Sequence, residues 1–320
     1  MASVSTVTGP MDTSDMGFTL IHEHLKVQSD PVVVQWPHLY DEQQAMERAI
    51  GQTKAAQERG VKTIVDPTVM GSGRDIRFMR QVAQQTSMQV IPATGLYTYR
   101  DVPYYFHHRS VDHMADVFVY DIEVGIQGTS IQAAFLKCAT DTPGITAGVE
   151  KVLRAVARAH RRTGVPIMTH SHAPSETGLK QQDILAAEGV DLSRVLIGHS
   201  GDSDDLDYLM KLIERGSFIG MDRYGLEEKA GYLSTQKRNA TIVELCRRGY
   251  VEKMMLSQDA CCTMDVFEPE LVAAVAPKWN MTYLMDEVLP ALKAAGVSDA
   301  QIHTMTVDNP RRYFERQGAY

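Results

Sequence analysis

The sequence predicts an α/β fold, a closed (β/α)8 or TIM barrel, and three observations carry that prediction. Eight short, mostly apolar runs recur along the chain with helical patterns between them. Runs of that kind suit parallel strands buried on both faces, and regular alternation of strand and helix builds a parallel sheet. The length, 320 residues, accommodates eight such units closed into a barrel. No GxGxxG follows the first strand and no GxxxxGK[ST] occurs, so an open nucleotide-binding sheet loses its usual support. With no linker or low-complexity segment, residues 1–320 read as a single barrel domain.

In chain order, residues 1–17 form a short cap, where Val4 to Val7 alternate and Gly9-Pro10 turns the chain. The first strand spans 18–24. A helix follows over about 41–59, with Asp41 as N-cap and Gly60 as stop. Strand two is 61–66, then a helix over 74–87 and strand three over 89–95. The Tyr-, Phe- and His-rich stretch 97–115 lacks periodicity and reads as a long loop at the active face. A helix over 116–127 leads to strand four, Ile131 to Lys137. Helix 147–163 is the clearest: Val149, Val152, Leu153, Val156 and Ala157 fall on one face, and Gly164 ends it. Strand five is 166–170, helix 180–188 follows, and strand six is 195–199. Asp202 or Ser203 caps a helix to Glu214. Strand seven is 217–222, then helix 234–248 and strand eight, 253–259. A loop over 260–280 and helices over about 282–295 and 299–304 close the chain.

Composition narrows the function classes. At 44% hydrophobic and 22% charged, the chain can bury a large core. The net charge of −8, without a basic stripe, argues against nucleic acid as partner. Cys138, Cys246, Cys261 and Cys262 lack CxxC spacing and form no disulfide framework, which fits a reducing compartment. The N-terminus has no basic or apolar leader, and no run approaches the roughly 18 apolar residues of a membrane span. The expectation is a soluble cytoplasmic protein.

The chemistry concentrates at strand ends. Phe18 to Leu25 ends in His22-Glu23-His24, and alternation puts both imidazoles on one face. Lys137 ends strand four, His170 strand five, His199 strand six and Asp259 strand eight. A barrel's active site lies at that face. Singly, each has a plain reading: a hydrogen-bonded histidine, a solvated lysine, a helix-capping aspartate. Together they point to a binuclear metal centre at the C-terminal face of the strands. Four histidines and an aspartate suit two divalent ions, zinc first, with cobalt, iron or manganese as the other candidates. A lysine ammonium has no lone pair to give. Carboxylated by carbon dioxide, Lys137 becomes an anionic carbamate able to bridge two ions, and an apolar barrel interior helps by depressing its pKa.

These motifs resemble the phosphotriesterase family of the amidohydrolase superfamily, especially its phosphotriesterase-like lactonase branch. The matching stretches are Thr19 to His24, Phe135-Leu136-Lys137, Thr169-His170, Ile197-Gly198-His199 and Leu256 to Asp259, and the resemblance runs from about Thr8 to Phe314. It implies that His22, His24 and Asp259 bind a buried ion and His170 and His199 a more exposed one. Between them would stand Lys137 as N6-carboxylysine, with a hydroxide. It further implies that Tyr97 orients a substrate carbonyl, that Arg223 lies on the substrate side and that Asp202 supports it. Packing, an ion pair and a helix cap are their plain alternatives. Asp259 is the implied proton acceptor and donor. The loop after strand eight, with Phe267, Leu271 and Trp279 among its apolar residues, would line an acyl-chain channel.

The implied activity is hydrolysis of lactones, N-acyl homoserine lactones above all (a quorum-quenching activity), with phosphotriesters as a side reaction and a homodimer by analogy. One departure stands out: many relatives carry His where this chain has Gln258, and a neutral amide relays no proton. His107, His108, His113 and His172 read as surface or supporting residues, and Cys138 faces away from Lys137. Three other readings remain at this point. The site could serve a primary phosphotriesterase or other esterase; Lys137 could be a Schiff-base amine of a lyase; or the barrel could bind without catalysis.

Overall fold

The computed structural model describes residues 2–315 and 318–320. Among them, eight parallel strands form one sheet, in the order in which they follow along the chain. After the N-terminal hairpin of β1 (Ser3–Thr6) and β2 (Gly9–Asp12), they are β3 (Thr19–Leu20), β4 (Thr63–Asp66), β5 (Gln89–Gly95), β6 (Phe135–Ala139), β7 (Ile167–His170), β8 (Val195–Gly198), β9 (Phe218–Met221) and β10 (Met254–Leu256). The architecture is the (β/α)8 barrel that the alternation predicts.

The seam between the first and last strands closes through backbone and side chain together. Asp259 N donates to His22 O at 3.0 Å, and His24 N to Ala260 O at 2.9 Å. Glu23, wholly buried, accepts from Ser257 Oγ, Gln258 N and Ala260 N, each at 2.8 Å. Burial pushes its carboxyl up to about 8.

Strand alternation separates two cores. Ile21, Val65, Ile91, Phe135, Met168, Leu196 and Met255 fill the barrel interior, with Tyr313 and Phe314 packed against them. Leu20, Ile64, Val90, Leu136, Ile167, Ile197 and Met254 face the surrounding helices. Inward and outward residues thus differ by one position, as the pleat requires.

The helices are α1 (Asp30–Gln35), α2 (Glu42–Gln57), α3 (Ile76–Thr86), α4 (Tyr104–His107), α5 (Val111–Glu123), α6 (Ala147–Thr163), α7 (Thr177–Ala187), α8 (Leu206–Glu214), α9 (Thr235–Arg247), α10 (Pro269–Val275), α11 (Leu289–Ala294), α12 (Asp299–His303) and α13 (Asn309–Glu315). Asp41 caps α2 by accepting from Gln44 N, and Gly164 ends α6 in the left-handed region. Other expectations need correction. Asp205, not Asp202 or Ser203, caps α8, accepting from Asp207 N and Tyr208 N. The loop expected over 97–115 contains α4 and the start of α5, which Ser110 caps. Its aromatic and histidine residues hid the periodicity. Helix α5 ends early because Gly125 and Gln127 adopt positive φ. Strand four begins at Phe135 because residues 131–133 still bond back to the α5 region, through Ile126 N to Ile131 O and Ala133 N to Asp121 O. The loop after β10 carries α10, started by Pro269 at its first turn. The turn of the N-terminal hairpin falls at Val7-Thr8, with Gly9-Pro10 opening the return strand.

No helix among the described residues is long and apolar enough to cross a membrane.

Candidate metal centre and active site

The interior parity delivers two of the polar residues. Lys137 lies two residues beyond inward Phe135, and His170 two beyond inward Met168. Gly95 makes room for Lys137: its φ is +139°, and a Cβ there would fall 1.9 Å from the Lys137 carbonyl oxygen. His199 and Asp259 follow their strands in the left-handed region, with φ of 61° and 54°. Non-glycine residues occupy that region at a cost and gather at functional sites.

The structure brings His22, His24, Lys137, His170, His199 and Asp259 together, all buried. Asp259 Oδ1 is 3.3 Å from His22 Nε2 and 3.2 Å from His24 Nε2, and Oδ2 is 3.8 Å from His199 Nε2. Lys137 Nζ is 3.2 Å from His22 Nε2. The remaining nitrogen of each imidazole is tied away from this cluster. His22 Nδ1 bonds Asp222 Oδ2 at 2.9 Å and His199 Nδ1 bonds Asp222 Oδ1 at 3.1 Å. His24 Nδ1 bonds Thr68 Oγ1 at 2.7 Å, and that hydroxyl donates to Asp66. His170 Nε2 bonds Asp141 Oδ2 at 2.8 Å, leaving Nδ1 on the cavity side, within reach of the Tyr97 hydroxyl. Carboxylates anchoring one imidazole nitrogen while the other faces a shared centre are the arrangement of metal-ligating histidines. His22, His24 and Asp259 present ligand atoms within 4.8 Å of one another. His22, His199 and Asp222 do so as well, but Asp222 is already engaged by both Nδ1 groups. The donor set, neutral nitrogen and carboxylate oxygen, fits divalent ions of the zinc type.

Electrostatics agrees. Burial, reinforced by the Lys137 ammonium, holds the His22 imidazole down to about 4. Burial likewise holds His170 to about 4 and His199 well below the usual value. All three are therefore neutral and able to donate a lone pair at pH 7. Burial brings the Lys137 ammonium down to about 8, against the pull of Asp259 and Asp222. Burial alone would raise the Asp259 carboxyl, but the surrounding imidazoles and Arg223 outweigh it and keep it ionised.

Above the cluster opens a cavity of about 630 Å³. Tyr97, Tyr99, Arg223 and Asp259 line its polar end, and Val266, Phe267, Leu271, Val272, Val275 and Trp279 its apolar wall. Tyr97 Oη is 3.3 Å from His170 Nδ1 and is hydrogen-bonded to Tyr99 Oη. Burial keeps the Tyr97 phenol protonated. Arg223 donates through Nε to Asp259 at 3.0 Å and through NH1 to Asp202 at 2.9 Å. Lys137, which is buried, and Asp202 are not among the residues that line the cavity. Gln258 points away from the cavity: its Nε2 reaches Glu23 at 3.3 Å and its Oε1 accepts from Leu284 N at 2.6 Å. His107 and His108 are exposed, and His172 pairs with Ser175. Cys138 is buried among apolar residues.

Sequence reasoning passed over the anchoring carboxylates. Asp222 was visible as the residue four beyond inward Phe218, hence on the same face. Asp66, at the end of β4, carried the same strand-end signal. Asp141 and Tyr99 lie in loops, where no periodicity marks them.

The comparisons with known proteins follow this geometry. The phosphotriesterase family model matches residues 2–314. An aryldialkylphosphatase of Saccharolobus solfataricus is 50% identical over 95% of this chain and 96% of its own length. A phosphotriesterase homology protein of Mycobacterium tuberculosis is 50% identical over the full length of both. The solved structure of the phosphotriesterase from Mycobacterium tuberculosis superposes with a TM-score of 0.96 at 50% identity, covering 99% of this chain and 100% of that one. With its barrel and its donor set at the strand ends, the chain belongs to the phosphotriesterase family and is a metal-dependent hydrolase.

Proposed function

We propose that this hydrolase opens lactones, with N-acyl homoserine lactones as the preferred class and phosphotriesters as a side reaction. The observation that carries the reading is the cavity's division. A compact polar end suits a lactone head, and an apolar wall from Val266 to Trp279 suits an acyl tail. Phe267 and Leu271 are more than half exposed, and an apolar tail would cover them.

In this reading His22, His24 and Asp259 would hold one divalent ion and His170 and His199 a second, with carboxylated Lys137 as a further anionic ligand. When bound, such a pair supplies Lewis acidity and a water whose pKa is lowered towards neutrality. The chain's own residues do the rest. Tyr97, kept protonated, donates to the substrate carbonyl oxygen as negative charge develops there. Asp259 accepts the proton of the attacking water and passes it to the leaving ring oxygen. Arg223 holds Asp259 in place and faces the substrate, and Asp202 holds Arg223. The whole chain acts as one barrel domain and, by analogy with the family, as a homodimer.

The test is metal content per chain together with turnover before and after chelation, on a long-chain N-acyl homoserine lactone and an aryl phosphotriester. Metal-dependent turnover with a higher kcat/KM on the lactone supports the reading. A higher kcat/KM on the triester supports the second reading, a primary phosphotriesterase, which the relative named aryldialkylphosphatase favours. Phe267→Ala and Leu271→Ala should each lower kcat/KM for the long-chain lactone about tenfold and spare a short-chain one. The Schiff-base role for Lys137 falls with the family, and its buried amine lies against His22.

A further inference from the structure

Arg238 lies on α9, outside the cavity, and is 2% exposed. A buried guanidinium needs its donors satisfied, and this one spends them on two chain segments, the turn at Gly201 and the connection between β9 and α9. Nε donates to Leu233 O at 3.1 Å, NH2 to Leu226 O at 3.2 Å and NH1 to Gly201 O at 2.9 Å. NH1 also stands 2.8 Å from Asp202 Oδ1. The other oxygen of Asp202 takes NH1 of Arg223, whose Nε reaches Asp259. The charges therefore alternate from Arg238 through Asp202 and Arg223 to Asp259. Leu226 and Leu233 bracket the segment between β9 and α9, and Tyr232, next to Leu233, lies under the Arg223 guanidinium at 5.2 Å. Leu226, Ala230 and Tyr232 from that segment line the cavity. The next residue on α9, Asn239, accepts from the hydroxyl of Tyr224, the neighbour of Arg223, at 2.8 Å.

We propose that Arg238 is a positioning residue that sets Arg223 from behind, gripping Asp202 and both ends of the segment carrying Tyr232. The inference rests on the hydrolase reading of this cavity. A lysine cannot replace it fully, because one ammonium cannot span three carbonyls spread over two segments while pairing with Asp202. An arginine uses the planar fork for that purpose.

The test follows Arg223 directly. In the full-length, metal-loaded protein labelled with 15N-arginine, the Arg223 Nε–Hε signal is assigned by its loss in Arg223→Met. Arg238→Met should shift that signal and speed its hydrogen exchange about tenfold or more. Kinetics supplies the second readout. Arg238→Met should lower kcat/KM about tenfold or more in the native background and less than about twofold in the Arg223→Met background, because residues acting through one another are non-additive. Arg238→Lys, which keeps the charge beside Asp202, should move both readouts in the same direction by less, and it serves if Arg238→Met does not fold. An unmoved Arg223 signal in a folded variant, or equal losses in both backgrounds, overturns the proposal. A native protein that hydrolyses neither lactone nor triester sinks the functional reading, while the Arg223 signal still decides the role of Arg238.

Discussion

His22 Nδ1 lies 2.9 Å from Asp222 Oδ2, and that bond turns His22 Nε2 towards Lys137 and Asp259. Because His199 uses the other oxygen of the same carboxylate, one aspartate orients imidazoles assigned to both ions. Asp222→Asn removes the anion and one acceptor. It should weaken metal affinity about 10- to 100-fold, the usual cost of losing such an anchor. Metal titration of the apo-variant against the native chain checks this, and an unchanged affinity would remove Asp222 from the centre.

Lys137 carries the carbamate reading. Carbon dioxide reacts with the free amine, and burial brings the ammonium to about 8. Below that value the free-amine fraction falls about tenfold per pH unit. At fixed carbon dioxide pressure, reconstitution of apoprotein with zinc should therefore be faster at pH 8.5 than at pH 6.5. It should slow when carbon dioxide is stripped out. Reconstitution indifferent to carbon dioxide would leave Lys137 uncarboxylated. Lys137→Ala should lose at least about a hundredfold in activity and regain part of it with a small carboxylate added.

Gln258 is a seam residue, since both ends of its amide are engaged by Glu23 and Leu284. Gln258→His should change kcat/KM by less than about threefold, because nothing at that position reaches the cavity. Gln258→Leu should lower stability by about 1–3 kcal/mol by leaving buried partners unpaired. Denaturant unfolding alongside steady-state kinetics separates the two, and a large rate gain in the histidine variant would restore a relay role.

His160 offers a pH test outside the candidate metal centre. It is buried on α6, with Nδ1 bonded to Val165 O and Nε2 to the Tyr320 hydroxyl, each at 2.7 Å. Burial holds its pKa below the ordinary value. The folded state thus binds this proton less tightly than the unfolded chain. Its contribution is intact above about pH 6.5 and is lost as pH falls below that, by up to about 1.4 kcal/mol per unit. His160→Gln should flatten the fall in urea midpoint between pH 7.5 and 5.5. An equal fall in both proteins would show that another group sets the acid limit.

The sequence alone determined the barrel, because local apolar runs and helix periodicity repeat eight times and need no distant contact to be read. It also made the six residues legible as polar groups recurring where the apolar runs end, and parity along the strand gives two of them their face: Lys137 follows Phe135 and His170 follows Met168. The long helix α6 was legible to its last residue because one apolar face and a terminal glycine agree.

Only the tertiary structure decided what surrounds those residues. Asp222, Asp66 and Asp141 act through bonds to histidines distant in sequence, and no local pattern records which nitrogen they hold. Arg238 looks like any helical arginine until the turn at Gly201 and the connection between β9 and α9 converge on it. Gln258 resembles a gap in a proton relay in sequence, and in space it locks the barrel's closing seam. The physical reason is common to all of them. Hydrophobic periodicity is a property of neighbours along the chain, whereas the satisfaction of a buried charge or amide depends on which segments the fold brings within hydrogen-bonding reach.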